Sequence, residues 1–347
     1  MKPLVIFTSI RDTPNFARYA DNFKQHSQDP DILIIDEATD HRKSVMQQLG
    51  GFTIDFYGMD ERAAWFNRHK LSEFKHVIPA QAHNENSFGL LIALERGGYD
   101  MVVFVDDDTY PASDTADFLG EHWKALNTKS FVREAVNGFW LNTHPNYQVH
   151  GIPYCQRRRK SIWQLPNNFT ETVLNMGCWN GIPDLNAIDY LALNPDPQYI
   201  AVHNFTAAKH NYVPICGMNV SFKPKIIPAY YQLWHRGWDD LFSGLYLKVI
   251  ADHLNAGLSV GAPLCYHDKE PRDLFRDAET EHPSVKLNEE LWKVLLEINL
   301  NEETWLGCYR ELATQLKQKA KPLSPHYITQ LTDKMLAWCS LIEKVTA

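Results

Sequence analysis

Polar and apolar positions along the first third of the chain follow two alternating periods. Short apolar, β-branched runs at residues 4–7, 32–35, 52–56 and 101–105 read as strands, and stretches 15–25 and 86–95 carry apolar residues at helical spacing. Strands alternating with helices predict a Rossmann-like α/β domain, a mostly parallel sheet with flanking helices. In such sheets ligands bind beyond the carboxyl ends of the strands.

Residues 129–211 lose this periodicity and are rich in Asn, Pro, Trp and Gly, the mark of loops gathered around a site with a few strands among them. From Pro214 the pattern sharpens. Leu241, Leu245, Val249 and Leu254, with Phe242 and Ile250 beside them, make one apolar helix face. Residues 258–264 read as a strand, and 285–298, 302–317 and 325–344 as helices. The expected division is an α/β domain over residues 1–284 and a helical C-terminal extension over 285–347 that packs as an appendage.

Composition narrows the class. With 347 residues, 44% hydrophobic and 22% charged, the chain has ample material for a core. A formal net charge of -8 argues against a nucleic-acid partner. The short basic run Arg157-Arg158-Arg159-Lys160 reads as a solvated loop. Six scattered cysteines without a C-x-x-C pair argue against a disulfide framework or a zinc site. No stretch approaches the ~18 apolar residues of a membrane span, and the N-terminal apolar run is too short for a signal segment. A cytoplasmic protein is expected.

The most informative segment is Met101-Val102-Val103-Phe104-Val105-Asp106-Asp107-Asp108, an apolar strand that ends in three carboxylates. Adjacent like charges cost free energy unless a cation or donors offset them. A hard divalent ion shared with a diphosphate would do so, and a solvated capping turn is the plainer alternative. Asp239-Asp240 opens the strongest helix. One Asp suffices to complement a helix N-terminus, which leaves the second free to face a site as a base or to grip a hydroxyl. His267 and Lys269 follow the strand at 258–264, where an imidazole could complete a metal shell and the ammonium could face a phosphate. Arg11, just past the first strand, would lie near the same ligand.

Several segments carry a family pattern in a fixed order. They are Thr8-Ser9-Ile10-Arg11, Ser87-Phe88-Gly89, Phe104-Val105-Asp106-Asp107-Asp108, Gly151-Ile152-Pro153-Tyr154-Cys155-Gln156-Arg157, and Trp179-Asn180-Gly181-Ile182-Pro183-Asp184-Leu185-Asn186-Ala187. After them come Cys216-Gly217-Met218-Asn219-Val220-Ser221-Phe222, Asp239-Asp240-Leu241-Phe242-Ser243-Gly244 and Tyr266-His267-Asp268-Lys269. Together, over roughly residues 4–270, they resemble the reversibly glycosylated polypeptide family, also known as UDP-arabinopyranose mutases. The resemblance implies a GT-A-like fold, a UDP-sugar substrate and a divalent metal, Mn²⁺ or Mg²⁺. It places the family's reversibly glycosylated arginine at Arg157. The departures, Asn180-Gly181 for Leu-Asn and Asn186 for Asp, fall in the middle segment.

The expected site follows. Asp106, Asp107, Asp108 and His267 would hold the metal, with Arg11, Asp107 and Lys269 on the nucleotide-sugar. Arg157, Asp239 and Asp240 would serve the chemistry. An arginine stays protonated in proteins and is a poor nucleophile, so Arg157 is either a covalent carrier or a charge clamp. The reaction implied is pyranose–furanose interconversion of a UDP-sugar. Transfer of the sugar to a carbohydrate acceptor is the alternative, and a non-catalytic UDP-sugar-binding subunit is the third reading. The helical tail offers a surface for homo-oligomer contacts.

Overall fold

The computed structural model describes all residues except 10–15, 38–41, 80–83, 167–168, 234–237, 270–271 and 347. The first half is built from β1 (Pro3–Ser9), α1 (Phe16–Gln25), β2 (Asp31–Asp36), α2 (Arg42–Gln48), β3 (Ile54–Tyr57), α3 (Met59–Arg68), α4 (Asn86–Arg96), β4 (Met101–Asp106), β5 (Thr109–Pro111), α5 (Phe118–Asn127) and β6 (Phe131–Ala135). The second half adds β7 (Ser161–Pro166), β8 (Glu171–Gly181), α6 (Ala187–Leu193), β9 (Phe205–Ala207), β10 (Asn219–Phe222), α7 (Asp239–His253), β11 (Ala256–His267), α8 (Leu274–Leu296), α9 (Trp305–Lys319) and α10 (Pro325–Thr346).

Among the described residues one sheet runs in the order β3-β2-β1-β4-β10-β8-β11-β9-β6-β7, with β5 paired to β11. The expected α/β architecture with flanking helices is present. Its sheet is parallel from β3 to β4 and mixed beyond, because β10 inserts antiparallel between β4 and β8. Two reversals restore the direction. β8 therefore runs with β4, and β11 pairs parallel to β8. The carboxyl ends of β1, β4, β8 and β11 share one edge.

Alternation along the central strands explains their burial. Leu4 and Ile6 of β1 and Val102 and Phe104 of β4 enter one core, while Val5, Phe7, Met101, Val103 and Val105 enter a second core on the opposite face. Apolar residues on both faces make these strands read as continuous hydrophobic runs. The second core is closed by Phe16, Tyr19 and Phe23 of α1 and by Phe118 and Leu119 of α5.

The C-terminal helices complete the first core. Leu291 and Trp292 of α8, Tyr309 and Leu312 of α9, and Met335 and Trp338 of α10 belong to the same cluster as β1 and β4. Trp338 stacks on Tyr231 and donates its indole N–H to the Pro228 carbonyl at 3.1 Å. The helical run begins at Leu274, earlier than its periodicity predicts, because Asp273 caps it by accepting from the Arg276 amide.

The weakly periodic middle holds β8, a buried strand that its composition conceals. Its Asn175 donates to the Ala262 carbonyl and lies 3.1 Å from His122 Nδ1, and the other ring nitrogen of His122 meets Asn219 of β10 at 2.9 Å. Burial pushes the His122 imidazole down to about 3, so a neutral ring completes the polar network inside the sheet.

Candidate active site

At the shared carboxyl edge lies a cavity of about 470 Å³. Its floor is the turn after β4, with Asp106, Asp107 and Asp108, beside Thr8 and Ser9 from the end of β1. The parallel register pairs Thr8 with Asp106. The Thr109 hydroxyl closes the turn onto the Asp106 carbonyl at 2.9 Å, and the Ser9 hydroxyl donates to Asp107 at 3.1 Å.

β5 swings this turn against β11, pairing Thr109 with His267. The Asp268 amide donates to the Asp108 carbonyl at 2.9 Å. His267 Nδ1 lies 2.9 Å from the Ile182 carbonyl. A carbonyl only accepts, so Nδ1 carries a proton and Nε2 is the ring nitrogen turned to the cavity. Nε2 lies 3.3 Å from Asp108 Oδ2. With Nε2 protonated the two groups pair directly, and with Nε2 bare they can share a cation; an imidazole that ligates a metal is commonly fixed through its other nitrogen in this way. These residues fit a divalent ion. Among the described residues no three His, Cys, Asp or Glu side chains form a complete metal shell. Mg²⁺-like sites commonly use one or two carboxylates and leave the remaining positions to water and substrate phosphates.

The opposite wall is the first turn of α7. Asp239 and Asp240 line the cavity. The Asp240 carboxylate accepts from the Gly217 amide and from the Leu241 amide of its own first turn, both at 2.7 Å. Burial, with Asp184 nearby, pushes its carboxyl up to about 6 against the pull of the Gly217 amide. Burial and the Asp240 charge push Asp239 well up, and burial with Asp108 and Asp107 does the same to Asp106. The cavity is therefore an anionic basin poised to bind cations or to hold protons.

Among the described residues the lysine and arginine of its lining are already engaged. Lys269 binds Asp184 at 3.0 Å, and Arg272 binds Asp277 at 3.0 Å. Burial favours the neutral Asp184 carboxyl, but Lys269 and the two neighbouring histidines outweigh it and hold that group well below the usual carboxylate range.

The structure thus brings Asp106, Asp107, Asp108, Asp239, Asp240, His267 and Lys269 around one cavity. Arg11 lies outside the described residues. Arg157 does not line the cavity. Its guanidinium is bound to Asp189 through Nη1 at 2.8 Å and Nη2 at 2.6 Å.

Two lining residues, Glu85 and His150, and Arg62 outside the lining carry no sequence signal of their own. Glu85, at the start of α4, lines the cavity with a buried Oε2 that has no hydrogen-bond partner. Burial and the nearby Glu37 push it up to about 7. Arg62 is buried against Glu37 and leaves its Nε and Nη1 without partners. His150 also lines the cavity, edge-on to Trp238 at 4.8 Å, and burial pushes its imidazole down to about 4. Only its place immediately before the Gly151–Arg157 segment could have marked it.

A model of the reversibly glycosylated polypeptide family matches residues 4–347. The chain belongs to that family. Among curated relatives it is 29% identical over 269 residues to UDP-arabinopyranose mutase 1 of Arabidopsis thaliana, covering 72% of this chain and 70% of the relative. Similarity to UDP-arabinopyranose mutase 1 of Oryza sativa subsp. japonica is 27% over 269 residues, covering 72% and 68%. Among solved structures, glucosyl-3-phosphoglycerate synthase from Mycobacterium tuberculosis in complex with Mn²⁺, UDP-glucose and phosphoglyceric acid aligns with a TM-score of 0.45 at 11% identity, covering 84% of this chain and 79% of that one. The same enzyme with Mg²⁺ and UDP aligns with a TM-score of 0.41 at 12% identity, covering 85% and 78%. No helix among the described residues of this family member is long and apolar enough to cross a membrane.

Proposed function

We propose that this chain is a GT-A-like, divalent-metal-dependent enzyme of the UDP-arabinopyranose mutase type, interconverting pyranose and furanose forms of a UDP-sugar. The observation that carries the reading is the opposed pair Asp108–His267 at the floor of an acid-lined cavity, in a chain of this family. Asp108 and His267 would hold Mn²⁺ or Mg²⁺, with Asp106 and Asp107 beside them. The ion supplies charge neutralisation for the departing diphosphate.

The chain's own residues account for the remaining tasks. Lys269, already in the cavity, adds positive charge for a phosphate oxygen. The unpartnered oxygen of Glu85, which lines the cavity, offers an acceptor for the polar edge of the nucleoside. When a ring hydroxyl attacks the anomeric carbon it must shed a proton. Asp240, with its carboxyl near 6, is matched to accept one at neutral pH and return it. Asp239, pushed up beside it, can grip a sugar hydroxyl as a donor.

A second reading, transfer of the sugar to a carbohydrate acceptor, is favoured by one feature. Tyr266, adjacent to His267, stacks on Tyr110 at 5.0 Å and neighbours Tyr199, which is 77% exposed. Such a ledge suits the apolar face of an acceptor sugar.

The test is incubation of the protein with Mn²⁺ and a panel of UDP-sugars, with chromatography of the nucleotide products. The expected result is a UDP-sugar isomer formed without acceptor and lost in Asp108→Asn and Asp240→Asn. UDP release without an isomer would replace the mutase reading with transfer. Metal-dependent binding with no turnover under any acceptor condition would leave a binding subunit. Absence of any metal-dependent nucleotide-sugar binding would overturn the proposal.

A further inference from the structure

A second cavity, of about 180 Å³, is built on β6, β7 and β9. It shares no lining residue with the acid-lined cavity. Arg133 of β6 and Trp163 of β7 stand opposite each other in the antiparallel register, and both line it. Phe205 of β9, with His144 and His203 from the adjoining loops, completes the wall. Among its described lining residues there is no carboxylate, although the chain carries a formal net charge of -8.

The positive charge in this cavity has no anionic partner. Arg133 donates from Nε to the Ser161 hydroxyl at 2.8 Å and from Nη1 to the Asn142 carbonyl at 2.9 Å. Both partners are neutral, and among the described residues Nη2 has no hydrogen-bond partner. Burial pulls the guanidinium below its usual range, yet an arginine stays protonated. The rings of Phe205 and Trp163, 5.1 and 5.8 Å from the guanidinium, offset part of the charge. An oxyanion would offset the rest.

His144 supplies a second donor. Its ring is buried, and Nδ1 accepts from the Asn146 amide at 3.1 Å and from the Tyr147 amide at 3.2 Å. An imidazole whose Nδ1 accepts carries its proton on Nε2. Burial, which pushes this ring down to about 4, keeps it in that neutral form. The Nε2–H has no partner among the described residues.

We propose that this cavity binds a monosaccharide-sized ring that carries a carboxylate or a phosphate. Arg133 Nη2 and the His144 Nε2–H are the donors for the oxyanion, and Trp163, 52% exposed, offers a face for the ring. A volume under half that of the acid-lined cavity suits a single ring rather than a nucleotide-sugar. The site stands apart from the nucleotide-sugar reading, because none of its residues serves there.

The test is calorimetric titration of the full chain with glucuronate and, separately, with glucose 6-phosphate, using neutral glucose as the control. A chelator is present throughout, so that no metal draws the anion to the acid-lined cavity. The expected result is saturable binding of at least one anionic sugar, with glucose roughly tenfold weaker or more, the difference a charge-assisted hydrogen bond makes. The tighter of the two names the oxyanion. Arg133→Gln should weaken that binding roughly tenfold or more, and Trp163→Ala roughly three- to tenfold. Arg133→Gln also loses the Ser161 and Asn142 contacts, so thermal midpoints are measured for both variants. Trp163 is exposed, and its variant reads the site even where Arg133→Gln fails to fold. Absence of saturable binding for both anionic sugars would overturn the proposal. So would anionic binding that glucose equals, or that is unchanged in either folded variant.

Discussion

His267 is oriented through Nδ1 by the Ile182 carbonyl so that Nε2 lies 3.3 Å from Asp108 Oδ2, and that is the most telling single contact in the cavity. It leads to a direct expectation. Asp108→Asn should weaken Mn²⁺-dependent UDP binding by at least roughly tenfold, the lower end for disturbing such shells. The weak binding that persists in a chelator should be unchanged, as read by calorimetry. A second expectation concerns Glu85, raised from 4.5 to about 7 by burial and Glu37. Between those values the folded chain keeps a proton that the unfolded chain has released. The stability of the ligand-free protein therefore falls as pH rises through this window and is indifferent to this group below and above it. The displacement corresponds to about 3 kcal/mol. Glu85→Gln should flatten the fall in thermal midpoint between pH 4.5 and 7, and an unchanged slope would refute the assignment. At this scale the sequence is only partly readable. Three aspartates after an apolar strand announce themselves, whereas Glu85, Arg62 and His150 become notable only through burial without partners.

Elements decide which of those residues meet. β10 runs against both β4 and β8, and this double reversal returns β8 and β11 to the direction of β1. Without it the Asp184 and His267 ends would lie at the opposite edge from Asp108. α7 is held close to this edge by Gly244, where an added Cβ would stand 2.4 Å from the Ile215 Cβ. Gly244→Ala should therefore cost about 1–3 kcal/mol through overpacking, seen as a lower denaturant midpoint at unchanged slope. A wild-type midpoint would show that α7 can shift freely. The glycine that closes the Asp-Asp-x-x-x-Gly segment is thus a packing requirement that keeps Asp239 and Asp240 over the cavity. β8 shows why the middle third is hard to read. Periodicity registers apolar alternation, but Asn175 enters the sheet as part of a satisfied network with His122 and Ser259. Polar residues paired only across the tertiary fold look like loop residues in one dimension.

For the whole molecule, the tail and the α/β part share one hydrophobic core. Trp338 of α10 is fully buried against Tyr231, and Arg272 and Glu281, at the start of the helical run, line the cavity. Trp338→Ala should cost about 3–5 kcal/mol, the usual loss for a buried large aromatic. A chain ending at residue 284 should lose its cooperative thermal transition, because the cluster around Leu291, Tyr309 and Met335 would be stripped from one face of the sheet. A cooperative transition in that truncated chain would instead support an independent domain over residues 1–284.

The sequence by itself determined the α/β class, the continuous apolar strands and the acid cluster that ends β4, since each rests on local periodicity or on adjacent like charges. It also carried the order of segments that resembles the family. Only the tertiary structure decided that Asp108 faces His267, that Glu85 and Arg62 keep unpaired atoms in the interior, and that Arg157 is bound to Asp189 behind the cavity. Those facts depend on strand direction, on burial and on partners distant along the chain. Burial is also what turns an ordinary carboxylate into a displaced one, because the penalty on charge comes from the surrounding low-dielectric packing and not from the residue itself.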